Sequence, residues 1–410
     1  MTDLQHLLDG FEAGDLVRPF SGPSLVDLAR AMASVCGVDD VPMTDASHAL
    51  AEPLGETEHL VFVMADGLGT RFVDALPHDS WLRRNTRRTL LAPYPPTTPV
   101  ALTSIATGDY PSEHAITGWW THLPSLGAGV TVFHNSRATD EVSLDDLGVP
   151  FAEVCPRPTL MPRMTREVAL VMPSNITDTP FTHYMSGGRP VVAYARHAEA
   201  AQTIADRLAR ASGPTFTYWY TPFPDTLAHE FGSSEQRVQR SVEDLDEAVG
   251  LLATTLRERD IPTRIVVTAD HGHLDVSGGG HFEITGSDPL LAYLECPPTG
   301  DVRTQYWHVR RGMHRDFGRT FRDRFGKWFL LLHIEDVEDQ RLFGPDPFSA
   351  ETRARVGDFV SISLGPEVLR YTGGPGRERY LAQRSHHSGL SAAEMVVPLI
   401  IIETEAGAPT

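Results

Sequence analysis

Apolar positions along the chain fall into two rhythms. Continuous apolar runs at His59–Ala65 (HLVFVMA), Arg264–Ala269 (RIVVTA) and Val396–Ile402 predict strands buried on both faces, as in a parallel sheet. Shorter strands are predicted at Val130–His134, Val168–Met172, Pro190–Tyr194 and Thr215–Tyr220. From Ser234 to Glu258 the residues Val238, Val242, Leu245, Val249, Leu252 and Leu256 recur at alternating spacings of four and three. That is the one-sided stripe of a helix laid on a sheet, with Glu, Asp and Arg on its wet face. A helix from Ser24 to about Val35 carries Ser24 as its cap with Asp27 three residues on, and another from about Ala198 to Ala211 completes a strand–helix unit. Strands alternating with helices give an α/β fold with a mostly parallel central sheet and helices on both faces.

Between Gly278 and about Arg384 the rhythm changes. GGGHFE reads as a flexible turn, Arg303–Arg310 (RTQYWHVR) as a half-exposed strand, Met313–Trp328 as a basic helix and Phe329–Ile334 as a further strand. This βαβ-like stretch reads as an inserted α+β cap, residues 278–384, on a core made of residues 1–277 and 385–410. Its cluster of Arg310, Arg311, Arg315, Arg319, Arg322, Arg324 and Lys327 fits a solvated helix face better than a phosphate site.

Composition narrows the function classes. A chain of 410 residues that is 41% hydrophobic can bury a sizeable core, and a net charge of −19 opposes binding to nucleic-acid polymers or anionic membranes. The first thirty residues carry acids throughout without an apolar signal region, and no run is long enough to span a bilayer. Cys36, Cys155 and Cys296 are far apart and odd in number, which predicts no disulfide framework and a reducing, cytoplasmic setting.

The candidate chemistry lies at strand tips. Asp66 follows the first apolar run in Asp66-Gly67-Leu68-Gly69, where open α/β sheets place ligands; no third glycine follows to make a dinucleotide fingerprint. Asp270-His271-Gly272-His273 ends the RIVVTA run, offering a carboxylate and an imidazole to a zinc-like ion, with Gly272 allowing close backbone approach. Asp225 and His229 stand four apart, on one face if helical. In YPPTTPVALTSIATG, Thr98 reads as N-cap, Pro99 as the first helical residue and Gly108 as the end, which sets a hydroxyl at a positive helix terminus. Trp119 and Trp120, in a stretch read as irregular, either stack on a substrate ring or cover a core edge. His386 and His387 precede a short turn before the last strand, and one of them could return to the site.

The pieces ADGLG (Ala65–Gly69), TTPVALTSIATG (Thr97–Gly108), YPSEHAITG (Tyr110–Gly118), PDTLAHEFG (Pro224–Gly232), TADHGHLDV (Thr268–Val276) and HHSGLSAAEMVVPL (His386–Leu399) stand in the order seen in the alkaline phosphatase superfamily. The chain resembles most closely its type I phosphodiesterase/nucleotide pyrophosphatase branch. The resemblance implies two divalent ions, zinc as first choice: one held by Asp225, His229 and His387, the other by Asp66, Asp270 and His271 and touching Thr98. His387 is preferred to His386 because Ser388-Gly389 follows it. The implied activity is hydrolysis of a small phosphate ester or nucleotide by attack of Thr98, through a phosphothreonine intermediate. Pro99-Val100-Ala101 and Trp119 stand where the nucleotide pyrophosphatases often carry Phe-Pro-Asn and a phosphate-contacting Asn, so monoesters and diesters both remain open. A metal-bound but inactive binding protein is the alternative from another class. No Cys or Ser lies in the arrangement a sulfatase needs, and a phosphoglycerate-mutase-like enzyme would use serine.

Overall fold

The computed structural model describes residues 2–55, 57–375 and 380–404. Among them the main sheet has seven strands, in the order Thr86–Leu91, Val396–Glu403, Thr263–Thr268, His59–Ala65, Thr215–Thr221, Glu167–Pro173 and Val191–Tyr194. From Thr263–Thr268 across to Val191–Tyr194 each neighbour pairs parallel, whereas Val396–Glu403 is antiparallel to both strands that flank it. The fold is therefore α/β with a mostly parallel sheet and helices on both faces, as the apolar runs predict.

Every residue of His59–Ala65 is buried, so this strand needs cover above and below. Gln236–Glu258 supplies part of that cover, burying Val238, Val242, Leu245, Val249, Leu252 and Leu256 and packing beside His197–Ala209. Leu25–Val35 starts with both halves of a capping box: Ser24 N–H donates to Asp27 at 2.9 Å and Asp27 N–H to the Ser24 hydroxyl at 3.2 Å. The register aligns Ala65 with Thr221 and Met64 with Thr268, so three strands release their chains at one height. Asp66 N–H donates to Thr221 O and Asp225 N–H to Asp66 O, each at 3.0 Å, which locks the two strand tips together.

A second seven-stranded sheet, antiparallel throughout, runs in the order Phe329–His333, Phe359–Ser363, Thr304–Trp307, Thr299–Gly300, Trp120–Leu123, Ala128–Thr131, Ser136–Arg137. It joins strands of the 278–384 segment to strands from the segment that follows the Thr98 helix. The stretch around Trp119, expected to be irregular, holds a short helix, Pro111–His114, and the Trp120–Leu123 strand. GGGHFE is likewise no mere turn: His281–Ile284 pairs parallel with Val368–Tyr371. Strands of two to five residues carry too little alternation to be told from loops until a partner is seen. The basic helix, His314–Phe325, buries Phe317, Phe321 and Phe325 on one stripe. Its cations are partnered: Arg324 with Asp288, Arg322 with Asp3 and Arg319 with Asp316, as a solvated face would have it. No helix among the described residues is long and apolar enough to cross a membrane.

The second sheet and the C-terminal segment are joined by a buried ion pair. Arg303 donates to Glu394 through Nε at 2.6 Å and Nη2 at 3.0 Å, and Nη1 reaches Gly365 O at 2.6 Å. Glu394 also accepts from Gly389 N–H at 2.8 Å and the Ser391 hydroxyl at 2.6 Å. Removing one partner strands the other charge in the interior, so Arg303→Met is expected to cost about 3–5 kcal/mol. Urea unfolding of the two proteins side by side measures it; a loss below 1 kcal/mol would show the pair to be ornamental.

Candidate metal centre

The parallel tips deliver Asp66 and Asp270 side by side. Gly67 N–H donates to Asp270 Oδ1 at 2.9 Å and His271 N–H to the same oxygen at 3.0 Å, while Oδ2 is buried and, among the described residues, has no hydrogen-bond partner. Tyr220 O–H donates to Asp66 Oδ2. His271 Nε2 lies 3.5 Å from Asp66 and 3.4 Å from Asp270. The second group forms at the first turn of Asp225–Phe231, where the spacing of four puts Asp225 and His229 on one face. His229 Nε2 is 3.2 Å from Asp225 Oδ1 and 3.2 Å from His387 Nε2, and His387 is 3.9 Å from the same carboxylate oxygen. Within each trio one ligating atom per residue lies within 4.8 Å of the others. The rings of His271 and His387 stack with centroids 3.7 Å apart, so the two trios adjoin.

All three histidines are held the same way. Nδ1 of His229 bonds Ser385 O at 2.7 Å, that of His387 bonds Pro96 O at 3.0 Å and that of His271 bonds Gly272 O at 3.0 Å. A carbonyl accepts only from N–H, so each Nδ1 carries a proton and each ring is fixed with Nε2 toward the carboxylates. Burial alone would lower the His229 imidazole, yet the Asp225 carboxylate beside its Nε2 raises it above its usual value. Burial, together with the nearby charges of Asp270 and Asp225, pushes the Asp66 carboxyl well above the ordinary range. Burial alone would do the same to Asp225, yet His229 and His273 overcome it and hold that carboxyl well below. Burial and the neighbouring imidazoles carry His387 well below its usual value, which keeps it a neutral donor. Clustered buried carboxylates, imidazoles fixed through Nδ1 and an orphaned carboxylate oxygen are a donor set that fits divalent cations.

Thr98 lies where the trios meet, its hydroxyl 3.2 Å from His271 Nε2 and 3.5 Å from Asp66. The capping assignment needs correction. Thr97, in extended backbone, is the N-cap; Thr98 is the first residue of Thr98–Thr107 and Pro99 the second, and Ala101 N–H bonds back to Thr97 O. The Thr97 side chain does not cap, because it donates instead to Asp301 at 2.9 Å. Gly272 also serves a different purpose from the one expected, since a Cβ there would collide with the Ala393 carbonyl. Gly67 is the tighter constraint at the centre: its φ is +73°, and a Cβ would come within 2.8 Å of His273 and 2.9 Å of Asp225.

His273, Tyr220 and Asp301 were not singled out by the sequence. His273 Nε2 donates to Asp225 at 2.8 Å while its Nδ1 meets the Ser385 hydroxyl at 3.0 Å, so it braces the carboxylate. Its position two residues past His271 at a strand tip was the available signal. His386 and His281 belong to neither trio, and both meet the buried Arg370 guanidinium, at 2.9 and 3.0 Å. Above the centre opens a cleft of about 450 Å³ lined by Trp119, His134, Asp225, Thr226, His229 and Glu230. Trp119 and Trp120 also border the smaller recess that reaches Thr98 and His387, with Asp301 on its wall.

The sequence pattern of type I phosphodiesterase/nucleotide pyrophosphatase matches residues 60–288, more than half of the chain. The chain belongs to that family. No curated protein sequence matches it. Among solved structures, murine ectonucleotide pyrophosphatase/phosphodiesterase 5 is similar with a TM-score of 0.61 and 13% identity, over 83% of this chain and 87% of that one. The same mouse protein, as an inactive variant in complex with AMP, aligns with a TM-score of 0.59 at 13% identity. Phosphonoacetate hydrolase from Sinorhizobium meliloti 1021, in complex with phosphonoformate, aligns with a TM-score of 0.57 and 19% identity over 86% of this chain and 92% of that one. At such identities the structures speak for the fold. Membership in the type I phosphodiesterase/nucleotide pyrophosphatase family supports phosphoester hydrolysis of the phosphodiesterase/pyrophosphatase type.

Proposed function

We propose that this chain is a two-metal phosphodiesterase/nucleotide pyrophosphatase in which Thr98 is the nucleophile. The observation that carries the reading is the Thr98 hydroxyl at the junction of two carboxylate–imidazole trios. Asp225, His229 and His387 would hold one ion, and Asp66, Asp270 and His271 the other; zinc suits this nitrogen and oxygen donor set. Bound there, the ions would supply Lewis acidity toward the phosphoryl oxygens and a lowered pKa for a coordinated hydroxyl or water.

The protein's own part follows from the geometry. Thr98 stands at the start of Thr98–Thr107, whose positive end favours an oxyanion and an incoming phosphoryl group. Its hydroxyl gives its proton to solvent, the oxygen attacks phosphorus opposite the leaving group, and a phosphothreonine forms as the P–O bond to the departing alcohol or phosphate breaks and that oxygen takes a proton from solvent. Attack of water on that phosphorus then restores the threonine. Trp119 and Trp120 give the cleft an aromatic wall on which a nucleobase can stack. Substrate is thus a small phosphate ester or nucleotide, and the buried free thiols support a reducing, cytoplasmic setting.

The test is a panel on zinc-loaded protein: a chromogenic nucleotide diester, a chromogenic monoester, a dinucleoside pyrophosphate and phosphonoacetate. Highest kcat/KM on the diester or pyrophosphate is expected. Preference for the monoester would move the assignment to a phosphomonoesterase of the same superfamily. Full metal loading with no turnover on any member would leave the binding-protein reading in its place.

A further inference from the structure

The second sheet brings together three side chains that the centre does not use. His122 lies on Trp120–Leu123, Cys296 precedes Thr299–Gly300, and His308 directly follows Thr304–Trp307. Each is 8% exposed, and one ligating atom from each lies within 4.8 Å of the others. Cys296 is a free thiol, and the two imidazole rings stand 3.9 Å apart, nearly as close as the His271–His387 pair. His308 Nε2 donates to Arg355 O at 3.3 Å, which leaves its Nδ1 as a lone pair. His122 Nδ1 is buried and, among the described residues, has no hydrogen-bond partner. A histidine kept only for packing would be expected to satisfy that atom.

We propose that His122, Cys296 and His308 form a separate binding site for a soft divalent metal of the zinc class. One thiolate and two imidazoles are ligands that zinc accepts and that magnesium or calcium does not prefer. The carbonyl that fixes the His308 tautomer is the usual outer partner of a metal-bound histidine. As the metal–sulfur bond forms, the Cys296 thiol releases its proton to solvent. Three protein ligands leave a fourth position for water or for Glu295, the exposed neighbour of Cys296 in the chain. The role is structural: the ion ties the strand that begins at Trp120 to the 296–308 segment, and so steadies the aromatic wall of the cleft.

Cobalt(II) is the probe, because thiolate ligation gives a charge-transfer band in the near ultraviolet. The primary trios contain no sulfur, and Cys36 and Cys155 sit in the main apolar core, so the band reports Cys296. It is expected in the wild type and in Asp270→Asn, where the primary centre is damaged, and absent in Cys296→Ser. His308→Gln, which keeps the thiol, is expected to weaken cobalt binding at this site by about tenfold or more, and it serves in place of Cys296→Ser should that variant not fold. No band in the cobalt-saturated wild type, or a band that survives Cys296→Ser, overturns the proposal. Neither readout uses ester turnover, so the outcome is independent of the primary centre.

Discussion

Thr98→Ala is expected to lower kcat for ester hydrolysis by roughly 10³- to 10⁶-fold, the range seen when a nucleophile is removed and the rest of a site remains. The hydroxyl is the part of the side chain that meets both Asp66 and His271, and the helix it begins is held by backbone bonds that alanine also makes. Fold and metal content should therefore be unchanged. Thr98→Ser keeps the oxygen and should retain most of the activity. Steady-state kinetics at saturating zinc, beside metal analysis of each protein, makes the comparison. Less than a tenfold loss in Thr98→Ala would remove the threonine from the mechanism.

The second large effect concerns Asp270→Asn, which should pull stability and function in opposite directions. The amide oxygen can still accept from Gly67 and His271 N–H, so the strand tip is preserved, but an NH₂ now occupies the position of the unpartnered Oδ2. Metal affinity is expected to fall by at least about 10²-fold, and turnover at limiting zinc with it. The metal-free protein should become more stable. Burial first, then the Asp270 charge, raises the Asp66 carboxyl in the fold above its unfolded value. Such a group's contribution to stability is present at pH below the unfolded pKa and is lost as pH climbs through the raised one. Removing the neighbouring charge weakens that loss. Thermal melts in chelator and in zinc read both signs: wild type should gain far more from zinc than Asp270→Asn. Equal gains would show that Asp270 does not hold an ion.

Much of this was written in the chain where physics is local. Unbroken apolar runs such as HLVFVMA can only be strands covered on both faces, and an acid directly after one must emerge at the sheet's carboxyl edge. Ser24 with Asp27, and the stripe from Val238 to Leu256, were equally plain because a helix repeats every few residues. What escaped depended on distant partners. Thr97 and Thr98 are equivalent as caps on paper, and the choice between them turned on Asp301, about two hundred residues away. Tyr220 and His273 have roles only because the strand register sets them against Asp66 and Asp225. The antiparallel sheet was hidden because its strands are short and interleaved from two regions.

The antiparallel strand Val396–Glu403 lies inside the main sheet, against Thr263–Thr268. On the ribosome, about 130 residues must be added after Thr268 before that seat is filled, a delay on the order of ten seconds at ordinary synthesis rates. Throughout that interval the nascent chain presents the edge of an apolar strand, RIVVT, with its backbone groups unpaired and open to another chain. Shielding by chaperones therefore bears on the yield of this protein more than on most α/β proteins whose last strand closes an outer edge.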